Sequence, residues 1–307
     1  MTQSISAAIH IQGSTVRIVE LEREETTLRL RRLDSATFEF EVAMHLRDGA
    51  GNDPLDQVRA AIREMLGGTE AASMGLVVHP LDVYNFFMPV PTGLSDQARE
   101  RRVAYQAALV TDTRSSEALH TTSRSVRIAE RNGEEIEWLH VLAVPQAVED
   151  RFESLVSTVP GPDPLRIVST EAAAEVMQRR AEADEETEGY SFAIGAYPGH
   201  TEYTLTHEGT WHHAHAAQEA RAPENRTYYA AGVLNRIGVP MAEVENLFVY
   251  GPEADASTDG PLETVFDRRA VSLDPFDGLG LASEQSHEDA PSTYVPCIGG
   301  ALRAQSP

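Results

Sequence analysis

The sequence AAIHIQGSTVRIVELE, residues Ala7 to Glu22, holds two short apolar runs on either side of a polar turn. The runs are Ile9–Ile11 and Val16–Leu21, and Gly13 lies between them. Apolar runs of this length, separated by glycine and small polar residues, predict a strand, a tight turn and a second strand. We therefore expect the chain to open on a β-hairpin.

A similar pattern returns after Tyr190 and reads YSFAIGAYPGHTEYTLTHEGTW. The apolar run Phe192–Ile194 leads into a turn that contains Gly195, and a second strand is predicted over Thr201–Thr206. Each half of the chain thus begins with strand, turn and strand. A fold built from two such halves commonly holds a phosphate chain between the two turns.

Length and composition limit the class of protein. A chain of 307 residues with 41% hydrophobic residues can form two domains with real cores. No apolar run reaches the roughly 18 residues of a membrane span, and Met1–Ala8 does not resemble a signal peptide. The single cysteine, Cys297, fits a reducing compartment and is expected to be a buried packing residue. We predict a cytoplasmic protein with no direct membrane insertion.

The charge is strongly negative. The net charge is -23, and all 25 basic residues are arginine, with no lysine in the chain. Nucleic acid is an unsuitable partner because neutralising phosphates needs basic patches. Two interpretations of the acidity stay open, namely simple solubility and adaptation to a salt-rich, halophilic cytoplasm.

The first half predicts a meander followed by a small inserted unit. Strands are predicted at Leu28–Arg31 and Phe38–Val42, and a helix begins at Asp53. Residues 83–160 then read as strand, helix capped by Ser95, hairpin and helix, which is a small α+β unit.

The second half follows an acidic linker, Glu182–Glu188. After its hairpin we expect a helix, a strand, a loop over Gly251–Gly260, a mobile polar segment over Leu279–Pro291, and a closing helix over 293–303. The predicted division is a first lobe, 1–188, with an insertion at about 83–160, and a second lobe, 189–307, that carries the closing helix. The fourth subdomain, near Gln218–Glu245, looks too short for a full lid.

Four stretches together resemble the PilM-type proteins, which are actin-like components of type IV pilus assembly related to the cytoplasmic domain of GspL. The stretches are Gly13–Leu21, His140–Pro145 with Ile167–Ala172, Leu273–Phe276, and Val295–Arg303. The resemblance implies an α/β, actin-like (ribonuclease H-like) two-lobed fold with a small inserted α+β subdomain.

The resemblance also implies a Mg-ATP site between the lobes, held by an Asp in each hairpin and by a Gly-Gly step. Here His10 and Ala193 stand where those Asp residues belong, Gln12 replaces a glycine, and Pro252 and Glu253 follow Gly251. Proline lacks an N–H, and Glu253 brings negative charge toward a nucleotide.

We therefore expect a pseudo-ATPase with no catalytic residue, no cofactor and no metal. The alternative is an active ATP-binding protein with an unusual site. In that case Ser14, Thr15, Gly195 and Gly251 would contact ATP and Mg²⁺.

A partner is also implied by the resemblance, namely the cytoplasmic N-terminal peptide of a single-span inner-membrane assembly protein. Its groove would be walled by Val83–Met88, the helix after Ser95 and the hairpin around Glu135–Val144. Candidate peptide-binding residues are Tyr84, Asn85, Phe86 and Phe87. The competing interpretation is that this strand is core. If the groove binds such a peptide, the chain is a scaffold that lies at the inner membrane through its partner, in a pilus or a type II secretion machine. It could also oligomerise.

Four histidines, His207, His212, His213 and His215, cluster around Trp211. Two of them with His10 or His200 could ligate Zn²⁺, but no acid or cysteine ligand is evident nearby. We interpret them as half-exposed strand residues.

Overall fold

The computed structural model describes residues 3–25, 27–49, 53–113, 118–131, 133–157, 159, 161–183, 189–220, 222–254, 256–281 and 289–305. Within them, no helix combines the length and the apolar character that a membrane crossing requires.

The first lobe is built on a six-stranded sheet. Its strands are β1 (Gln3–Gln12), β2 (Thr15–Glu24), β3 (Thr27–Thr37), β4 (Ser73–Val78), β8 (Leu165–Val168) and β14 (Gly280–Leu281), in the order β14-β3-β2-β1-β4-β8. The predicted first hairpin is confirmed and longer than expected, and Gly13 provides the left-handed backbone of its turn at φ +56°. Helices α1 (Val42–Asp48) and α2 (Asp53–Met65) connect β3 to β4.

The expected strand at Phe38–Val42 is wrong. After β3 the chain bends over the first hairpin, where Ser14 O accepts a hydrogen bond from Phe38 N at 2.8 Å and Gly13 O accepts one from Val42 N at 2.8 Å. These bonds hold the segment against the turn, and α1 begins at Val42. The alternation of Phe38 and Phe40 reflects their packing on each other and on the core rather than sheet pairing.

The inserted unit is a three-stranded sheet with one helix. Its elements are β5 (Tyr84–Pro91), α3 (Asp96–Val110), β6 (Leu119–Arg131) and β7 (Glu134–Pro145), with strand order β5-β7-β6. Ser95 caps α3 as predicted, since its side chain accepts a hydrogen bond from Ala98 N. The helix α4 (Gln146–Val156), which we expected within the insertion, instead buries Val148, Phe152 and Leu155 in the core of the first lobe.

The second lobe has a five-stranded sheet, and the region predicted as a reduced lid, near Gln218–Glu245, contains a helix. Its strands are β9 (Tyr190–Ala196), β10 (Thr201–His207), β11 (Thr210–Ala217), β12 (Val244–Tyr250) and β13 (Ala270–Ser272), in the order β11-β10-β9-β12-β13. Helices α6 (Pro223–Ile237) and α7 (Ala256–Phe266) cover one face. The loop expected over Gly251–Gly260 is therefore partly helix, because Leu262 and Phe266, one turn apart, bury in this core. Most of the polar segment predicted to be mobile, 282–288, lies outside the described residues.

Two helices lie between the lobes, α5 (Ser169–Ala183) and α8 (Val295–Gln305). A short 3-10 turn, Pro291–Tyr294, leads into α8. We assigned the closing helix to the second lobe, but it packs on β1, β2 and β4 of the first. One apolar cluster runs from Ala8 and Val77 through both helices to Ala193 and Tyr250 of the second lobe. The lobes thus share a core.

Candidate functional site

The first predicted nucleotide turn is half-exposed and is bonded to the segment that follows β3. Ser14 and Thr15 lie at the tip of the β1–β2 hairpin, where the Ser14 carbonyl is bonded to Phe38 N. The Glu41 carboxylate lies 3.1 Å from the position that a Cβ on Gly13 would take. A carboxylate beside this turn would repel a phosphate chain.

Two predicted nucleotide-binding residues are glycines, Gly195 in the second hairpin and Gly251 at the Gly-Gly step, and both make room for protein atoms. An ideal Cβ on Gly195 would lie 2.6 Å from the ring of Tyr250. Gly251 has φ +97°, and its Cβ would lie 2.6 Å from the carbonyl oxygen of Ala196. Both positions therefore require glycine for close packing inside the chain, and Tyr250 fills the space above Gly195.

The turn Gly251–Glu253, where the resemblance places the Gly-Gly step of the nucleotide site, also makes an internal contact. Glu253 forms an ion pair at 2.5 Å with Arg226, which is buried on α6. The Glu253 amide donates a hydrogen bond of 3.1 Å to the Ala196 carbonyl. The glutamate that we expected near a nucleotide, Glu253, is thus paired with α6 instead.

A buried polar network lies between these turns. The Glu202 carboxylate on β10 contacts His79 Nδ1, just after β4, at 2.6 Å, and His200 Nε2 at 3.0 Å, both through Oε1. The Ser169 hydroxyl, at the start of α5, donates to the same oxygen at 2.6 Å, and the Tyr250 hydroxyl donates to Oε2 at 3.1 Å. Since His79 and Ser169 belong to the first lobe and Glu202 to the second, these bonds join the lobes.

His10 completes the network from β1. Its Nε2 lies 3.3 Å from His79 Nε2, so one ring donates to the other. Tyr197 stacks on His200 with 4.9 Å between ring centroids. His10, His79 and Glu202 are at most 3% exposed. The residue that replaces the first expected Asp is therefore part of an interior network.

Charge in this network is balanced. Burial disfavours the ionised forms, but the Glu202 carboxylate raises the pKa of His79, and His79 and His200 together hold the pKa of Glu202 well below its usual range. Burial and the neighbouring His79 lower the pKa of His10. The favoured state is a His79–Glu202 ion pair beside a neutral His10. Removing one partner of such a buried pair costs about 3–5 kcal/mol.

A second contact between units forms where the insertion meets β11. The Arg124 guanidinium lies 4.9 Å above the Trp211 ring, and the Phe87 ring is 5.1 Å from Trp211. Arg124 and Arg303 each contact Glu171 on α5 at 2.9 Å, so one carboxylate ties the insertion to both central helices.

The histidines near Trp211 contribute to this contact. His212 contacts Arg127, and burial together with Arg127 lowers the pKa of His212 to about 3. Burial and His215 lower the pKa of His213 to about 4. His140 Nδ1 is 3.8 Å from Glu171, and burial and Arg124 lower the pKa of His140 to about 3. These imidazoles are neutral packing groups at pH 7.

The predicted peptide-binding residues divide between the two faces of β5. Phe86 packs beneath α3, and Phe87 packs against His140, Trp211 and His213. Asn85 donates a hydrogen bond of 3.1 Å to the Pro80 carbonyl, and Tyr84 is 43% exposed. Phe87 thus belongs to the contact between the insertion and the second lobe. Tyr84 presents the most open surface of the four.

A cavity of about 600 Å³ separates the insertion from the first lobe. It is lined by β6, α4, β8 and the segment before β8, including His120, Thr122, Glu153, Asp163 and Leu165. Both β6 and β8 are outer strands of their sheets. None of the walls we predicted for a peptide groove, Val83–Met88, α3 or the Glu135–Val144 strand, is among its lining residues.

Sequence reasoning missed His79, Ser169, Glu202 and Tyr250. A signal existed for two of them. Glu202 is a charged residue inside an otherwise uncharged strand, and His79 directly follows the apolar run Met74–Val78. A charge in a buried strand indicates a buried partner.

The two similar lobes, their central helices and the inserted unit define an actin-like fold. The chain has a TM-score of 0.71 to a PilM-PilN type IV pilus biogenesis complex, at 12% identity over 99% of each chain. A Bacteroides thetaiotaomicron protein with an actin-like ATPase fold and unknown function gives a TM-score of 0.52 at 10% identity, over 89% of this chain and 91% of that one. The predicted resemblance and fold class are confirmed, and at these identities the likeness establishes the fold.

A weaker likeness, with a TM-score of 0.44, is to the cytoplasmic domain of EpsL, an inner membrane component of the type II secretion system of Vibrio cholerae. It shares 12% identity over 100% of this chain and 96% of that one, and it is too distant to add to the fold assignment. No protein-family model matches the sequence, and no curated protein matches it significantly.

Proposed function

We propose that the chain is a non-catalytic, actin-like cytoplasmic scaffold of a type IV pilus or type II secretion assembly. It binds the cytoplasmic tail of a membrane protein and so lies at the inner membrane. The observation that carries the non-catalytic part is the filled space between the lobes, where Tyr250 occupies the room above Gly195. The partner is proposed from the fold shared with a protein solved in a PilM-PilN complex.

Loss of nucleotide binding follows from the contents of the cleft. A phosphate chain would have to displace the buried His79–Glu202 pair and would meet Glu41 at the first turn. The charges that should hold Mg²⁺ are absent at His10 and Ala193. Without nucleotide, the hydrogen bonds and the ion pair between the lobes hold the two lobes together.

The cavity beside β6 and β8 is the best-shaped place for a peptide. An extended segment could pair with either outer strand, and Leu165, 40% exposed, offers an apolar contact. Arg166 and Glu149 at its base are paired at 2.5 Å, which leaves Glu153 and Asp163 as net negative charge. A tail that carries Arg or Lys fits this charge.

The test uses a synthetic N-terminal cytoplasmic peptide of a single-span membrane protein, chosen from the genes next to that of this chain, and follows its binding by fluorescence anisotropy. Glu153→Arg should weaken binding at least about tenfold, because it reverses charge in the cavity. The matched control is Glu224→Arg, an exposed change on α6 that should leave affinity unchanged.

Two outcomes would redirect the assignment. Equal binding by both charge variants, together with weaker binding by Tyr84→Ala but not by the control Tyr228→Ala, whose tyrosine is more exposed, would move the peptide site to the edge of β5. No binding of the peptide by the wild-type chain would contradict the scaffold proposal for that partner.

A further inference from the structure

Three side chains with metal-binding atoms meet between the lobes. His79, His200 and Glu202 place one nitrogen or oxygen each within 4.8 Å of one another, and all three are buried. His79 comes from the first lobe and the other two from the second. We propose that this cluster is a site for a divalent transition metal, with Zn²⁺ as the best match, that fastens the two lobes together.

The donor set selects the class of metal. Two imidazole nitrogens and one carboxylate oxygen suit Zn²⁺ and similar cations, whereas Mg²⁺ prefers oxygen and water. With bonds of about 2.0 Å, tetrahedral zinc ligands lie about 3.3 Å apart. Glu202 Oε1 is 2.6 Å from His79 Nδ1 and 3.0 Å from His200 Nε2. These two pairs of atoms therefore have to separate by about 0.7 Å and about 0.3 Å to admit the ion.

Surrounding hydrogen bonds orient the ligands as metal sites need. With the cation on His79 Nδ1, the other nitrogen, Nε2, carries hydrogen and donates to His10 Nε2, 3.3 Å away. The Tyr250 hydroxyl holds the second Glu202 oxygen at 3.1 Å, which leaves Oε1 for the ion. Such outer partners fix the ring tautomer and the carboxylate in metal sites.

An atom that could serve as a fourth ligand is already in place. Ser169 Oγ lies 2.6 Å from Glu202 Oε1 and 3.3 Å from His79 Nδ1, beside the position of the ion. Binding would release the hydrogen on His79 Nδ1 to solvent, and the hydrogen that His200 Nε2 donates to Glu202 would have to move to His200 Nδ1, so that both ligating nitrogens are free for the ion. Without metal, the same atoms form only a hydrogen-bonded ion pair, and the experiment must separate these two states.

The test uses the untagged, full-length chain, since a histidine tag would itself bind metal. Because the site is buried, the protein is unfolded with chelator and refolded with Zn²⁺, with Mg²⁺ or with chelator alone. After dialysis, metal content is measured by mass spectrometry and stability by thermal melting. We expect one zinc per chain and a higher Tm with Zn²⁺ only.

Variants locate the ion. His200→Asn keeps a hydrogen-bond donor and Glu202→Gln keeps the shape, but each removes a good ligand, so zinc content should fall well below one per chain. His215→Asn, a half-buried strand histidine outside the cluster, should keep full zinc. If zinc were retained in both cluster variants and lost in His215→Asn, the assignment to this site would be wrong.

A spectroscopic readout covers variants that fail to fold. Wild-type chain refolded with Co²⁺ should show the visible absorption bands of a tetrahedral site with nitrogen and oxygen ligands. A folded wild-type chain that takes up neither Zn²⁺ nor Co²⁺, and whose Tm is the same in all refolding conditions, overturns the proposal and leaves the hydrogen-bonded pair.

Discussion

Replacing Gly299 by alanine tests how closely the two central helices approach. Gly299 lies on α8, and an ideal Cβ there would be 1.9 Å from the carbonyl oxygen of Ala172 on α5. Ordinary van der Waals contact begins at 3.4 Å. The helix backbones must therefore separate by roughly 1.5 Å, and both are buried between the lobes.

The expected loss follows from two opposing terms. Alanine gains about 1 kcal/mol of helix propensity over glycine. Overpacking costs about 1–3 kcal/mol where side chains can adjust, and more where backbone must move. We expect a net destabilisation of about 2–4 kcal/mol, which lowers Tm by roughly 3–6 °C in a chain of this size.

The assay is thermal melting followed by circular dichroism, with Gly232→Ala as the matched control. Gly232 is exposed on α6, and a Cβ there would meet no atom within 4 Å. That variant should gain about 1 kcal/mol from propensity alone. If Gly299→Ala melted at or above the wild-type temperature, the close approach of α5 and α8 would be refuted.

Three further outcomes are expected. Burial and Arg124 lower the pKa of His140 to about 3 in the folded chain, against an ordinary 6.5. Between these two pH values only the unfolded chain binds the extra proton. The free energy of unfolding therefore falls as the pH drops below 6.5, by up to about 1.4 kcal/mol per pH unit. In denaturant melts between pH 7 and 5, the unfolding free energy of His140→Leu should depend less steeply on pH than that of the wild-type chain. An unchanged pH dependence would contradict a neutral buried imidazole. Millimolar Mg-ATP should leave Tm unchanged, whereas a ligand at 100 times its Kd adds about 2.7 kcal/mol, so a clear shift would favour the ATP-binding alternative. The net charge of -23 predicts a Tm that rises between low and molar salt, and a constant Tm would exclude salt adaptation.

Local pattern predicted much of the fold. The first hairpin, the Ser95 cap and the hairpin of the insertion all follow from residues close together in the chain. The pattern also identified the substitutions at His10 and Ala193, since these are defined by their place before a turn. Where pattern failed, as at Phe38–Val42, backbone bonds to the Gly13–Ser14 turn replaced sheet pairing.

Only the tertiary structure decided which distant elements share a surface. It placed α8 on the first lobe, α4 outside the insertion, and Phe87 against Trp211. It also brought His79 to Glu202, 123 residues further along the chain. Periodicity says which face of an element is buried, but not which partner buries it. Buried charge is tolerated only where a partner exists, so the pair between the lobes depends on the packing of both halves.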